Sequence, residues 1–501
     1  MINRVFMWAI AATLMSTFAF AQDNGDTAEA APEAGEEAAA GEEAVETTEE
    51  APVPEKAEDD PFSFEFDISD TEKVKLKFWG HMRTRYNNRQ PGTYAGIAQQ
   101  EAQDNFLMRT RFGIKASFPA SINILFEVQD NRVWGSEPRA NSNSGTANNF
   151  DVLQAYLNTP NLFDQDINMW LGRQKFTVGS QRLWSTLEWA NPSRTWDGLR
   201  LSRKFMDDQI DAQVFAMLVT ENGPSRPQDD EWDLGTTVNW QPDFLEGHEF
   251  ELFTLYTTTD DVSGAGDADI LTASLRWAGK FEIAEDMSAS AEVEGILQTG
   301  KSDSDFWYGA GTIDNANVST SALSITANFH WTASEEHTFR FGLGYDFASG
   351  DSDPTDEKFQ TFRSPFPFGH KYQGLADQAG WRNLNDVYVN ATWVYTDLSW
   401  AEKITVGFQA HSFSRANDDD GWYNVGGGLI RAGTDQDSGS IGSEIDVVGT
   451  LKVNRWVDVQ VGLAMFMAGG FVEDTASGSG GGADNEESGM TFFWTQLTFK
   501  F

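Results

Sequence analysis

The chain has 501 residues, with 35 Lys and Arg against 77 Asp and Glu, and a formal net charge of -42. A charge of that sign excludes a nucleic-acid partner held by phosphate contacts. The absence of cysteine excludes disulfides, thiolate metal ligands and a thiol nucleophile.

Residues 1–21, MINRVFMWAIAATLMSTFAFA, have the form of a signal peptide. Arg4 supplies the positive start, residues 5–14 the apolar stretch, and Ala19-Phe20-Ala21 a cleavage site before Gln22. The apolar run is short for a retained bilayer anchor. Residues 22–71 are expected to be an acidic, low-complexity, mostly disordered linker on the periplasmic side. Glu and Ala favour a helix there, but no apolar stripe offers packing and like charges repel.

Residues 72–501 read as an all-β, membrane-spanning antiparallel β-barrel. In residues 72–87 the odd positions include Lys73, Lys75, Lys77, His81, Arg83 and Arg85. The even positions include Val74, Leu76, Phe78, Met82 and Tyr86. Residues 105–118 repeat the pattern, with Arg109, Arg111 and Lys115 opposite Phe106, Met108, Phe112 and Ile114. Cations on one side and aromatics on the other, with period two, describe a strand between lipid and water.

The strands expected in chain order are 72–87, 105–118, 121–130, 150–158, 167–176, 196–205, 209–220, 230–240, 248–258, 268–279, 287–299, 320–332, 336–348, 384–398, 401–414, 441–454, 457–469 and 489–501, about 18 in all. Short connections such as Pro119-Ala120 and Arg455-Trp456 alternate with long ones such as 88–104, 177–195 and 349–383. That is the pattern of periplasmic turns and extracellular loops, and an even strand number puts both termini in the periplasm. After the leader no run reaches the roughly 18 apolar residues of a spanning helix, which excludes a helical membrane protein. A large soluble β-sandwich competes, but it would turn its apolar faces into one core. Here strand after strand carries an outward apolar set, such as Phe339, Phe341 and Leu343, or Val457, Val459 and Val461. An open sheet edge in a bilayer is too costly, so the strands must close. The ending FFWTQLTFKF places Phe493, Leu497, Phe499 and Phe501 on one face, as a last strand against lipid requires.

The candidate site lies on the polar face. Arg83, Arg85, Arg109, Arg111, Arg173, Lys175, Arg194, Asp197 and Arg200 are expected to line a substrate path, with Asp197 bracing Arg194 or Arg200. Guanidinium groups hold carboxylates through paired hydrogen bonds, and a row of them passes an anion from site to site. The competing reading is a structural ladder in which inward arginines pair with inward acids such as Glu127, Asp197, Glu292, Glu294, Asp346, Glu444 and Asp446. The acidic stretches 351–357 and 417–421 offer oxygen ligands for surface Ca2+, but neither has the EF-hand spacing. No cofactor is expected. No catalytic motif stands out and the six histidines are scattered, so no enzyme activity is expected.

Several stretches together resemble the outer-membrane alginate-export porin family: LGRQKFTVGSQRLW at 171–184, NPSRTWDGLRLSRKF at 191–205, FPFGHKYQGLAD at 366–377, GSEIDVV at 442–448 and the closing FFWTQLTFKF. The resemblance implies an 18-stranded monomeric barrel with a narrow, arginine-lined, electropositive pore that passes alginate, a polyuronate. Arg173, Lys175, Arg194, Asp197 and Arg200 fall within those motifs. The turn at 455–456 is shorter than the extended late turn of gated exporters. The expected function is an outer-membrane channel of a Gram-negative-type bacterium for anionic saccharides or other organic anions. A general diffusion porin with structural Arg–acid ladders competes, followed by a barrel enzyme or adhesin. The expected partners are the anionic solute and the outer-membrane lipid and lipopolysaccharide, with no nucleic acid.

Overall fold

The computed structural model describes residues 61–90, 103–119, 121–135, 148–219, 231–259, 266–308, 311–353, 355–433, 438–475 and 489–501. The expected signal peptide and most of the expected linker lie outside the described residues.

Eighteen long antiparallel strands form the wall. They are β2 (Lys73–Gln90), β3 (Gln103–Phe118), β4 (Ile122–Val133), β5 (Asn148–Thr159), β6 (Asn168–Gln174), β7 (Trp196–Phe205), β8 (Ile210–Val219), β9 (Trp232–Trp240), β10 (His248–Thr259), β11 (Ala268–Ala284), β12 (Met287–Ser302), β13 (Ala316–Thr332), β14 (His337–Ala348), β16 (Leu384–Tyr395), β17 (Lys403–Ser414), β20 (Ser440–Asn454), β21 (Val457–Ala468) and β22 (Gly489–Lys500), while the short strands β15 (Lys358–Phe359), β18 (Trp422–Tyr423) and β19 (Leu429–Arg431) lie in the connections. Each pairs with its neighbours, and β22 pairs with β2 from His81↔Lys500 to Gln90↔Thr491, closing the barrel. Every strand expected from the sequence is present. Several run further than expected, β11 to Ala284 and β12 to Ser302 among them.

The burial pattern is inverted relative to a water-soluble protein. Met82 is 43 % exposed and Phe112 47 %, while Arg109 is 1 % and Arg83 2 % exposed. Apolar side chains facing out and cations facing in are stable only where the outer medium is lipid. Among the described residues no helix is long and apolar enough to cross a membrane, so the strands do the spanning.

One element corrects the expected domain boundary. A short strand, β1 (Ser63–Asp67), lies inside the 22–71 segment assigned to the linker and pairs antiparallel with residues 73–77 of β2. The cause is the seam. β22 runs out where Phe501 exchanges both backbone hydrogen bonds with Gly80, each 3.0 Å, which leaves the start of β2 with a bare edge. β1 occupies that edge. It is five residues long and follows an acidic run, so its alternation was too brief to read.

The barrel also has an apolar interior. Long connections turn inward, and Phe176, Trp184 and Phe366 from them pack with Trp196 and Phe215 of the wall. The Trp184 and Trp196 rings stack at 4.5 Å. At the seam, a Cβ on Gly80 would lie 2.3 Å from the Phe501 ring. Gly80→Val therefore displaces that ring and weakens closure by about 1–3 kcal/mol. The expected result is a folded barrel whose heat-modifiable gel band is lost at a lower temperature than the parent's.

Candidate functional site

The site is built around residues 175–195, which leave the wall after β6 and rejoin it at β7. The sequence turns this segment inward with two devices. Gly179 has φ +49°, and its backbone meets the Glu251 carboxylate so closely that a Cβ would lie 2.0 Å from Oε1. A bridge between Val178 and Trp184 then folds the segment on itself.

The far end of the segment presents carbonyl groups to β2 and β3. Arg83 donates to the carbonyls of Glu188 at 2.8 Å, Ala190 at 2.8 Å and Trp189 at 3.2 Å. Arg109 donates to the Glu188 carbonyl at 2.9 Å, and Arg85 to that of Trp189 at 2.9 Å. The Glu188 carboxylate takes Arg111 at 2.8 Å, Arg109 at 3.1 Å and Lys175 at 3.1 Å. Arg83 and Arg109 are direct partners in the β2–β3 register, so the barrel itself brings these like charges together. Burial alone would raise the Glu188 carboxyl, but the charges of Arg111, Lys175 and Arg109 outweigh it and hold it well below the usual carboxylate range.

A second inward connection, residues 360–383, is held by the opposite charge. Asp346 of β14 receives Arg182 at 2.7 Å and the Gln373 amide at 3.1 Å. On β20, Glu444 accepts the Ala376 N–H at 2.7 Å and Asp446 the Leu375 N–H at 3.3 Å. Gly374, at φ +80°, lets the backbone lie against Glu444. The two connections meet where Trp189 stacks on His370 at 3.9 Å, with Arg85 on the other face of the indole at 3.8 Å. Burial lowers the His370 imidazole below its usual range, against the pull of Asp377, which it contacts at 2.8 Å and which also pairs with Arg89.

The nine residues expected to line the path separate into three groups. Arg83, Arg85, Arg109, Arg111 and Lys175 converge on the 188–190 segment. Arg194 lies within the inward connection and donates to the Pro367 carbonyl at 2.9 Å, while Arg200 faces inward and stacks on Trp170 at 4.0 Å. Arg173 and Asp197 form a separate pair through two 2.8 Å hydrogen bonds. That corrects the expected brace: Asp197 serves Arg173, not Arg194 or Arg200. The two are directly opposite in register and share a sheet face with Leu171 and Leu199, both exposed on the outer wall. They do not face the lumen.

Glu188, Trp189, Arg182, His370 and Asp377 were missing from the expected set. The first two sit beside the quoted NPSRTW stretch, and the last two lie within FPFGHKYQGLAD, so the signal was present without a partner to give it meaning. Of the expected ladder acids, Glu292 pairs with Arg276 at 2.6 Å and Glu294 accepts from Ser180 at 2.6 Å. Among the described residues no group of three or more His, Asp or Glu is placed to hold a metal ion. In the two acidic stretches, Asp351 and Asp420 accept hydrogen bonds from Tyr308, Thr361 and Tyr423, which tie the connections together.

A closed barrel with lipid-facing aromatics and a lumen crossed by pinned inward loops defines an outer-membrane porin-type channel. Residues 74–483 match the alginate export family model, and the chain belongs to that family. Its fold is shared by solved outer-membrane proteins. OccAB1 of Acinetobacter baumannii aligns with TM-score 0.53 at 8 % identity, over 85 % of this chain and 96 % of that one. OccD3 (OpdP) of Pseudomonas aeruginosa aligns with TM-score 0.52 at 11 % identity, over 85 % and 91 %. OpdK of Pseudomonas aeruginosa, solved with vanillate, aligns with TM-score 0.51 at 12 % identity, over 85 % and 98 %. No curated protein matches the chain.

The Glu188 contacts set a pH signature. A carboxyl held below its unfolded value contributes stability above the ordinary glutamate pKa of about 4.3, and loses it as pH falls through the depressed value. The Glu188 contribution to thermal stability, read as the difference between parent and Glu188→Gln, is expected to be constant from neutral pH to about 4 and to shrink below that. Glu188→Gln leaves buried cations without their carboxylate, which costs about 3 kcal/mol. Its midpoint should be lower at pH 7, with the acid-side loss reduced.

Proposed function

We propose that the protein is a passive diffusion porin whose inward connections set the constriction, with the wall arginines serving first as struts. The observation that carries this reading is the engagement of Arg83, Arg85, Arg109 and Arg111 with the carbonyls of residues 188–190 and with Glu188. Donors committed to loop backbone hold a wall in shape. They are poorly placed to hand an anion onward, which needs guanidinium forks open to the solute. The pinned loops narrow the lumen, and solute crosses down its own gradient.

An anion-selective saccharide channel is the second reading. It draws support from the five cations gathered around residue 188, namely Arg83, Arg85, Arg109, Arg111 and Lys175. Carbonyl groups satisfy hydrogen bonds but cancel no charge, so the field of these cations favours anions. The family description adds alginate as the polyuronate to test.

Single-channel recording in a salt gradient separates the two. The parent is expected to conduct without an energy source, with a weak anion preference and weak block by oligouronate. Arg109→Gln with Arg111→Gln is expected to loosen the 175–195 segment, giving noisier and larger openings with only a small change in reversal potential. Parental conductance with a collapsed ion preference would make these arginines the filter, and the saccharide-anion reading would replace the porin reading.

A further inference from the structure

On the side of the barrel that carries the short turns, the lumen beneath the 175–195 segment holds a cavity of about 270 Å3. Residues 177–179 form its ceiling, and the inward faces of β7 to β10 form its wall. The strand register arranges that wall in rows. Lys204, Asp211, Asn239 and Glu251 lie directly opposite one another across four strands, and Gln213 faces Thr237 in the next row. At the mouth, the amides of Gln209 and Gln241 are held by Asp243 at 2.9 Å and Glu249 at 3.2 Å.

The side chains of Gln213, Thr237 and Asn239 form no hydrogen bond within the described residues, so their donors and acceptors address the cavity. A primary amide carries two donors beside an acceptor, and a hydroxyl offers one of each. Adjacent hydroxyls on a small ring present the matching pattern. The charge of the lining works against an anion, since Asp208 and Asp211 outnumber Lys204. The volume lies near the lower limit of small-ligand sites, roughly 300 Å3, which suits a single ring rather than a chain.

We infer that this vestibule is a binding site for uncharged, hydroxyl-rich solutes of about one sugar ring, and that it disfavours uronates. The inference rests on the diffusion reading only in that such solutes arrive through the channel. It gives the protein a solute preference distinct from the positive field around residue 188.

The test titrates glucose, glucosamine and glucuronate into the detergent-purified full-length barrel by calorimetry, with bilayer conductance recorded in parallel. Glucose and glucosamine are expected to bind and glucuronate to bind at least several-fold more weakly. Gln213→Leu with Asn239→Leu removes two hydrogen-bonding partners and should weaken glucose binding about tenfold. Folding is checked by heat-modifiable migration. Gln213→Glu retains the side-chain size and should shift the preference from glucose towards glucosamine. Equal binding of glucuronate and glucose overturns the inference, as does an unchanged sugar preference in the folded Gln213→Glu protein. Conductance without glucose binding removes the vestibule and leaves the porin. Glucose binding without conductance supports the vestibule and removes the porin.

Discussion

The structure depends on how charge is accommodated inside the barrel. Taking an ion out of water costs several kcal/mol unless hydrogen bonds and opposite charge replace the solvent. The wall meets that demand with loop backbone as well as with counter-ions. The guanidinium groups of β2 and β3 lie against carbonyls at 188–190, and the carboxylates of β20 lie against N–H groups at 375 and 376. Which way each connection folds therefore follows the map of wall charge. Cationic strands gather oxygen atoms, and acidic strands gather N–H groups.

The two connections are then locked to each other by aromatic surface. Trp189 lies between Arg85 and His370, and Trp184 contacts both Trp196 and Phe366. Polar contacts orient the segments, and ring packing fills the space between them without leaving polar atoms to satisfy. A pair of inward connections fastened to three parts of the wall has a shape set by packing.

The wall was legible because its physics is local. Period two in residues 72–87 or 489–501 follows from one strand meeting lipid on one side and a polar lumen on the other, and each strand reports this independently. The inward direction of Arg83, Arg85, Arg109 and Arg111 was equally readable from parity. What they touch was not. Glu188 and Trp189 are far from them in sequence, and nothing in a stretch of the chain says that a long connection turns inward. Arg173 shows the limit of motif reading. Its parity with Leu171 already placed it on the outer face, yet its position in a Gly-Arg-Gln stretch suggested the lumen. The strand β1 was hidden because its pairing depends on where β22 ends, a property of closure and not of its own five residues.

That seam has a consequence for how the molecule comes into being. Phe501 meets Gly80, and β1 lies along the same edge of β2, with the Phe62 and Phe501 rings 4.9 Å apart. The contacts that complete the circle therefore join the first and last long strands of the wall. They carry the largest loop-closure entropy of any strand pair in the barrel, and they cannot form until β22 is in place. Until they form, both β2 and β22 present bare edges, so the folding barrel needs its unpaired strands shielded until β22 docks on β2.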